Sequence, residues 1–253
     1  MKLHTYTLIL KCAATFCGAL TFLHAADAET VRLHGSISMA KTIEAKKAAI
    51  EAASGAKLVA VGNGAGRGLA DLSSGQAEIA LLSGPFKGVT DAMNREKAGS
   101  VNFEQLKDIP LFTSKLGFFT HPSAGVKSLT ENQLRDVLTG KVTNWKEVGG
   151  ADVSIKVVMA FGADGVRVTV QSVLFPDLDY AKSAIVRNSS KDIAVVVAQL
   201  PGACAVLVAQ SAEGNMTKVD LEEELALPCS LVVKGEASGE VKKVIDAATT
   251  LLK

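Results

Sequence analysis

A glycine-rich stretch, Gly62-Asn63-Gly64-Ala65-Gly66-Arg67-Gly68, sets the strongest limit on the fold. It follows an apolar run at 57–61 and precedes a segment at 69–74 that has helical character. Strand, glycine turn and helix in this order form an anion site. Glycine lets a ligand approach the main chain, and the first N–H groups of a helix have no partner within it. Arg67 adds a positive charge, so the stretch predicts an α/β chain with an oxyanion site.

Two other interpretations of this stretch are a dinucleotide-binding fingerprint and a plain structural turn. The G-x-G-x-x-G spacing fails because Arg67 occupies the position of the third glycine. The next apolar run, 77–82, leads into Ser83-Gly84-Pro85 and not into the acidic residue that would bind a ribose. The structural turn remains open as the alternative to an anion site.

The first 28 residues differ from the rest of the chain. Lys2 and Lys11 precede an apolar run at 12–23, and Ala26-Asp27-Ala28 matches the small-residue pattern of a cleavage site. This order predicts a signal peptide over residues 1–28 and an exported mature chain. A transmembrane anchor is the alternative, but the apolar run is short for a helix that spans a bilayer.

Composition limits the class of protein and its partners. The chain has 253 residues, of which 48% are hydrophobic and 21% charged, which suits one large or two modest α/β domains. Cleavage after residue 28 removes two of the 27 basic and one of the 26 acidic residues, so 25 of each remain. A neutral mature chain argues against nucleic acid and anionic membranes as partners. The sequence offers no nucleophile paired with a base and no cluster of metal ligands, so we expect no catalysis, metal or cofactor.

Two cysteines, Cys204 and Cys229, remain after the predicted cleavage. In an oxidising compartment, a single disulfide between them is the natural expectation. Two buried free thiols are the alternative, because apolar residues flank both positions.

Small and polar residues follow several predicted strands. Ser36 and Ser38 come after a strand at 31–34, and Ser83 comes after a strand at 79–82. In an open α/β sheet the ligand lies outside the carboxyl ends of the strands, so these loops should converge on the glycine-rich stretch. The serines either cap the helix that follows or offer hydroxyl groups to a ligand. Asp164 precedes a helix in a second small-residue turn, where it is either the N-cap or a ligand contact.

The segment 128–150 carries a family resemblance. Its pairs Leu129-Thr130, Gln133-Leu134, Gly140-Lys141, Asn144-Trp145 and Gly149-Gly150 are typical of one family. The segment resembles the periplasmic phosphate-binding proteins of ABC transporters, the PstS-like group of solute-binding proteins. The resemblance extends to Gly35-Ser36, Gly62–Gly68, Ser83-Gly84-Pro85, Gly162–Arg167 and Leu200–Ala203.

The resemblance implies a two-lobed α/β fold of the type II periplasmic-binding-protein class, with a ligand cleft between the lobes. Residues 29–113 and 226–253 would form the first lobe and residues 114–225 the second. The implied function is a monomeric periplasmic protein that captures phosphate or a related small oxyanion and presents it to an ABC transporter permease. The alternative is that the fold serves as a sensory or protein-interaction module with a different ligand or none.

The resemblance also implies a set of ligand-binding residues. They are Ser36, Ile37, Ser38, Gly64, Ala65, Gly66, Arg67, Ser83, Asp164, Gly165, Val166 and Arg167.

The chain departs from the family at several of these positions. The match places Gly66 where the family has a serine, Ser83 where it has an aspartate, and Ala160 where it has an arginine. It also places residues 164–166 on a Ser-Gly-Thr turn. Arg67 and Arg167 are the nearby cations that would compensate. We therefore expect phosphate binding that is weaker, less selective against sulfate and dependent on Arg167.

Overall fold

The computed structural model describes residues 28–99 and 101–252. The predicted signal peptide lies outside the described residues, apart from Ala28 at its end. Among the described helices, none combines the length and apolarity that a membrane crossing requires.

The described part of the chain holds ten strands and seven α-helices. The strands are β1 (Thr30–Gly35), β2 (Lys57–Gly62), β3 (Ile79–Ser83), β4 (Leu106–Thr120), β5 (Ser128–Leu129), β6 (Lys156–Ala160), β7 (Ile185–Arg187), β8 (Ala203–Val208), β9 (Thr217–Leu221) and β10 (Ala226–Lys234). The helices are α1 (Ile37–Ser54), α2 (Ala65–Ser73), α3 (Phe86–Glu96), α4 (Glu131–Thr139), α5 (Gly165–Leu174), α6 (Ser190–Gln199) and α7 (Gly239–Leu252). Short 3-10 helices lie at Pro122–Ala124, Trp145–Val148 and Ala209–Ser211.

Eight of the strands are ordered β2-β1-β3-β10-β4-β8-β6-β7, and β9 pairs with β4 and β5 beside this path. Strand β1 is parallel to β2 and β3, and β6 is parallel to β7 and β8. The long strand β4 belongs to both parts, because Leu106–Lys115 pairs with β10 and Leu116–Thr120 pairs with β8. We call β1, β2, β3 and β10 with α1, α2, α3 and α7 the first lobe. We call β6, β7 and β8 with α4, α5 and α6 the second lobe.

Helix α2 begins earlier than the sequence predicts. The pattern indicated a helix from Leu69, but the structure starts it at Ala65, so Gly66 and Gly68 lie in its first turn. Gly68 lies directly against the His34 carbonyl group of β1, where a Cβ atom would overlap the carbonyl oxygen. Close packing of helix on strand, and not only turn geometry, therefore explains a glycine here.

The segment that carries the family resemblance, residues 128–150, has a structural role. Thr130 and Gln133 form a capping box at the start of α4, and Gly140 ends this helix with φ of 78°. Trp145 is fully buried, and its Nε1 donates to the Gly202 carbonyl oxygen at 3.0 Å. Trp145 is therefore a core residue of the second half of the chain.

The predicted disulfide between Cys204 and Cys229 is wrong in this structure. Both are free and buried thiols among the described residues. Cys204 pairs with Thr120 of β4, whereas Cys229 pairs with Phe112 of the same strand. Eight residues of strand separate these partners by about 26 Å, and a disulfide requires Cα atoms within about 7 Å. The open alternative of two buried thiols therefore holds.

Candidate functional site

A cleft opens between the lobes, beyond the carboxyl ends of β1, β2, β3 and β6. Its cavity has a volume of about 490 Å³. Eleven of the twelve predicted ligand-binding residues line it: Ser36, Ile37, Ser38, Gly64, Ala65, Gly66, Arg67, Ser83, Asp164, Gly165 and Val166. The loops after β1, β2 and β3, which the sequence predicts to lie close together, therefore meet at this cleft.

Three serine hydroxyl groups form a cluster on the first-lobe wall of this cleft. Ser83 Oγ donates to Ser36 Oγ at 2.7 Å, and Ser38 Oγ lies 3.0 Å from Ser36 Oγ and 3.4 Å from Ser83 Oγ. Ser36 and Ser83 are buried. A hydroxyl group rotates and both donates and accepts, so the serine cluster can turn its donors from one another toward a ligand.

The first-lobe helices α1 and α2 begin at the cleft without side-chain caps. Ser36 is the N-cap residue of α1, but its hydroxyl group makes no capping bond and joins the serine cluster. Gly64, the N-cap residue of α2, has no side chain to supply a cap. Among the described hydrogen bonds, none uses the N–H groups of residues 37–39 or 65–67 as donors. Six main-chain donors therefore remain at two helix ends that also carry partial positive charge.

The second-lobe helices α5 and α6 also begin at the cleft, but their own side chains cap them. Asp164 Oδ1 accepts from the N–H groups of Val166 at 3.0 Å and Arg167 at 3.1 Å. Ser189 Oγ accepts from the N–H group of Asp192 at 3.1 Å. The predicted N-cap role of Asp164 is confirmed.

Asp164 brings a carboxylate to the wall of the cleft. Its burial raises the pKa of this carboxyl group, while the hydrogen bonds from the main chain and the charge of Arg167 act in the opposite direction. No donor within the described residues contacts its second oxygen, Oδ2, so this atom is available as an acceptor. The Asp164 carboxylate thus already occupies the N-terminus of α5, and a ligand oxyanion would compete with this carboxylate for the N–H groups.

Arg167 lies outside the group of eleven. Its Nη1 donates to the Gly162 carbonyl oxygen at 2.7 Å, and its guanidinium carbon lies 5.9 Å from the centre of the Tyr180 ring. It lines a separate cavity of about 20 Å³ behind the turn. The structure therefore gives Arg167 contacts that hold the turn 162–167, and it does not bring this side chain into the cleft.

A partly buried hydrogen-bond network holds the glycine-rich stretch in place. Asp71 Oδ2 accepts from Asn63 Nδ2 at 2.8 Å and lies 2.8 Å from His34 Nδ1. The contacts tie the loop before α2 to the end of β1. They fix the position of the uncapped start of α2.

Other residues that line the cleft are not among the twelve predicted ligand-binding residues. They are Asn63, Met93, Glu96, Lys97, Ala160, Phe161, Gly162, Ala163, Asn188, Ser189, Ser190, Val208 and Leu227. The signal of a serine before a helix could have found Ser189, since it stands between a short strand and an apolar-rich helix. The residues from α3, β8 and β10 had no local signal, because only the tertiary arrangement brings them to the cleft.

The charges around the cleft balance. In the described part of the chain, Arg67 and Lys97 supply its positive charges, and Glu96 and Asp164 supply its negative ones. Arg67, Glu96 and Lys97 are exposed. Binding of an anion therefore depends on hydrogen-bond donors and helix ends more than on net charge.

The comparisons with known proteins agree with this architecture. A family model described as a PBP superfamily domain matches residues 21–251. Phosphate-binding protein PstS of Bacillus subtilis is 31% identical over 144 residues, which are 57% of this chain and 45% of that protein. The chain thus spans less than half the length of this curated relative.

Two solved structures share the fold. One is a putative phosphate ABC transporter substrate-binding protein with bound phosphate from Clostridium perfringens, with 24% identity, a TM-score of 0.72 and coverage of 87% of this chain and 92% of that one. The other is an ABC-type phosphate transport receptor from Vibrio cholerae, with 21% identity, a TM-score of 0.67 and coverage of 87% and 93%. The predicted two-lobed type II periplasmic-binding-protein fold is confirmed.

Proposed function

The chain belongs to the PBP superfamily, and on that premise we propose that it captures phosphate or a related small oxyanion for an ABC transporter. One observation carries the proposal: two uncapped helix ends and three hydroxyl groups face the same cavity. The relatives named as phosphate-binding proteins support phosphate as the ion to test first. They also support a binding role and not a catalytic one.

The proposed binding mode uses the first lobe as the donor surface. The N–H groups of residues 37–39 and 65–67 point to the oxyanion, and Ser36, Ser38 and Ser83 rotate to donate to it. Hydrogen bonds to an ionised acceptor are stronger than neutral ones, and the helix ends add favourable electrostatics. A neutral cleft can therefore bind an anion.

Asp164 gives the proposed site a means of selection. Hydrogen phosphate carries a proton that Asp164 Oδ2 can accept, whereas sulfate carries none and would be repelled by the carboxylate. The resemblance assigns such a carboxylate to the position of Ser83. We propose that Asp164 provides it from the opposite lobe, so that selectivity against sulfate is kept and not lost as the sequence suggested.

We further propose the lobe boundaries and the location that the sequence analysis expects. The lobes would divide after residues 113 and 225, and the change of β4 pairing between Lys115 and Leu116 supports this division. Residues 1–28 would be a signal peptide that directs a monomeric binding protein to the periplasm. Delivery to a permease follows from the same proposal.

Calorimetric titration of phosphate-free protein tests the proposed function. We expect one phosphate site, and we expect Ser36→Ala and Ser83→Ala to weaken it about tenfold or more, because each removes a donor to a charged ligand. Ser73→Ala is the matched control, since Ser73 lies at the opposite end of α2 from the cleft. Absence of binding of any oxyanion to the wild type would refute the proposal.

A further inference from the structure

We infer that the ligand of this cleft is larger than inorganic phosphate: a phosphoryl group that carries a small organic substituent. Organophosphonates and phosphate monoesters are the compounds of this class. The inference rests on the proposed function, because it concerns the same cleft and the same donors for the oxyanion.

Space remains in the cleft although the two lobes already touch. A Cβ atom at Gly84 would lie 2.9 Å from Gly165 Cα, and one at Gly66 would lie 3.3 Å from the Ala163 Cβ atom. A cavity of about 490 Å³ therefore remains between lobes that are already in contact. Cavities of about 300–1,000 Å³ hold organic ligands, whereas phosphate is only a phosphorus atom with four oxygens.

The cleft is also lined by apolar side chains, in addition to the hydroxyl groups of the serine cluster. Phe161, at the end of β6, is 69% exposed, the largest exposed fraction among the large hydrophobic residues that the structure describes. Other apolar side chains that line the cavity include Ile37, Met93, Val208 and Leu227. These side chains offer no hydrogen bonds, and the negative face of an aromatic ring disfavours an anion.

The cleft therefore offers two kinds of surface. The uncapped helix ends and the serine cluster suit an oxyanion, and the apolar side chains, of which Phe161 is the most exposed, suit a carbon group that would stack or pack there. A ligand that uses both surfaces must join an oxyanion to an organic substituent. Asp164 Oδ2 can accept a proton from the oxyanion or from a hydroxyl group on that substituent.

A series of probes with one type of head group tests the inference by calorimetry. The probes are inorganic phosphate, methylphosphonate, phenylphosphonate and phenyl phosphate. We expect phenylphosphonate or phenyl phosphate to bind at least tenfold more tightly than inorganic phosphate, with methylphosphonate between. Tighter binding of phenyl phosphate would identify monoesters as the source of the head group, and tighter binding of phenylphosphonate would identify phosphonates.

Phe161→Ala should narrow the affinity ratio between the tighter phenyl compound and inorganic phosphate by about fivefold or more. Leu178→Ala is the matched control, because Leu178 is also an exposed apolar residue, at 52%, but lies away from the cleft. This control should keep the wild-type ratio. Inorganic phosphate that binds as tightly as every organic probe would overturn the inference and leave the proposed function intact, whereas no binding of any probe would overturn both.

Discussion

Both lobes present the N-termini of helices to the cleft, but in the described part of the chain only the second lobe caps these N-termini with side chains. In the first lobe, α1 and α2 begin with Ser36 and Gly64, and no side chain of the described residues caps them. In the second lobe, α5 and α6 begin with Asp164 and Ser189, whose side chains accept from the first turn of their own helix. A helix end is therefore not enough to define an anion site, because the N-cap residue decides whether its N–H groups are free.

The difference gives the lobes complementary roles. The first lobe offers donors, and the second offers an acceptor on Asp164 and an apolar surface at Phe161. An oxyanion that binds to the first lobe would therefore meet the carboxylate of the second lobe, which can accept a proton from it or repel it. Substitutions that remove this difference between the lobes should therefore change the binding of the anion.

The largest effect is expected when the first lobe is made to resemble the second. Ser36→Asp would place a carboxylate at the N-cap of α1, where it would accept from the free N–H groups and repel an oxyanion. We expect phosphate affinity to fall at least a hundredfold in calorimetric titration. Ser36→Ala is the control, which removes the hydroxyl group without adding charge and should cost about tenfold.

The thermal midpoint of Ser36→Asp must also be measured, because the larger side chain enters a buried position. A folded Ser36→Asp protein that binds phosphate like the wild type would show that the start of α1 does not contact the ligand.

A tenfold change in selectivity is expected when the carboxylate of the second lobe is neutralised. Asp164→Asn keeps an N-cap acceptor but removes the charge. Sulfate affinity should rise about tenfold relative to phosphate affinity, because the repulsion of an unprotonated oxyanion is gone. Competition titrations with both ions measure the ratio. An unchanged ratio would mean that Asp164 does not face the bound anion.

Arg167 should affect stability more than binding. Arg167→Met removes the hydrogen bond to the Gly162 carbonyl group and the contact with the Tyr180 ring. We expect a loss of about 1–2 kcal/mol in the free energy of unfolding, and a fall in phosphate affinity of less than about threefold. Urea denaturation and calorimetry measure the two quantities. Loss of phosphate binding in a variant that keeps its stability would show that Arg167 contacts the ligand, as the sequence predicts.

The smallest effect concerns the dependence of stability on pH. Because burial raises the pKa of Asp164 in the folded protein above its unfolded value, the folded state binds this proton more tightly. The contribution of Asp164 to the free energy of unfolding is therefore most favourable below its unfolded-state pKa. This contribution is lost as pH rises through the raised folded-state pKa. The wild type should gain stability relative to Asp164→Asn as pH falls through this window. Urea denaturation of both proteins across acidic pH would test the sign, and the opposite trend would mean that the pKa is lowered.

Local sequence patterns predicted the parts of the molecule that local chemistry determines. The strand, glycine turn and helix around residue 64 are present, and Asp164 caps α5 because a carboxylate before a helix finds its N–H groups without help from distant residues. The fully buried strand β3 was visible as a continuous apolar run and pairs in parallel with β1.

Features that depend on the register of distant strands or on side-chain direction could not be predicted. The separation of Cys204 and Cys229 follows from where β8 and β10 pair along β4. Arg167 is next to the predicted turn in sequence, yet the Gly162 carbonyl group and the Tyr180 ring hold its side chain behind that turn. No local pattern marks Phe161 as part of the cleft, and only the fold places its exposed side chain there.

A titration of the ¹⁵N-labelled protein with phosphate, followed by NMR of the main-chain amides, tests most directly whether the first lobe donates to the anion. We expect downfield shifts of the amide protons of residues 37–39 and 65–67, because these N–H groups become donors to an anion. The amides of Val166 and Arg167, which already donate to Asp164, should move much less. Large shifts at Val166 and Arg167 with unchanged amides at 37–39 and 65–67 would show that the anion binds to the second lobe and not to the uncapped helix ends of the first.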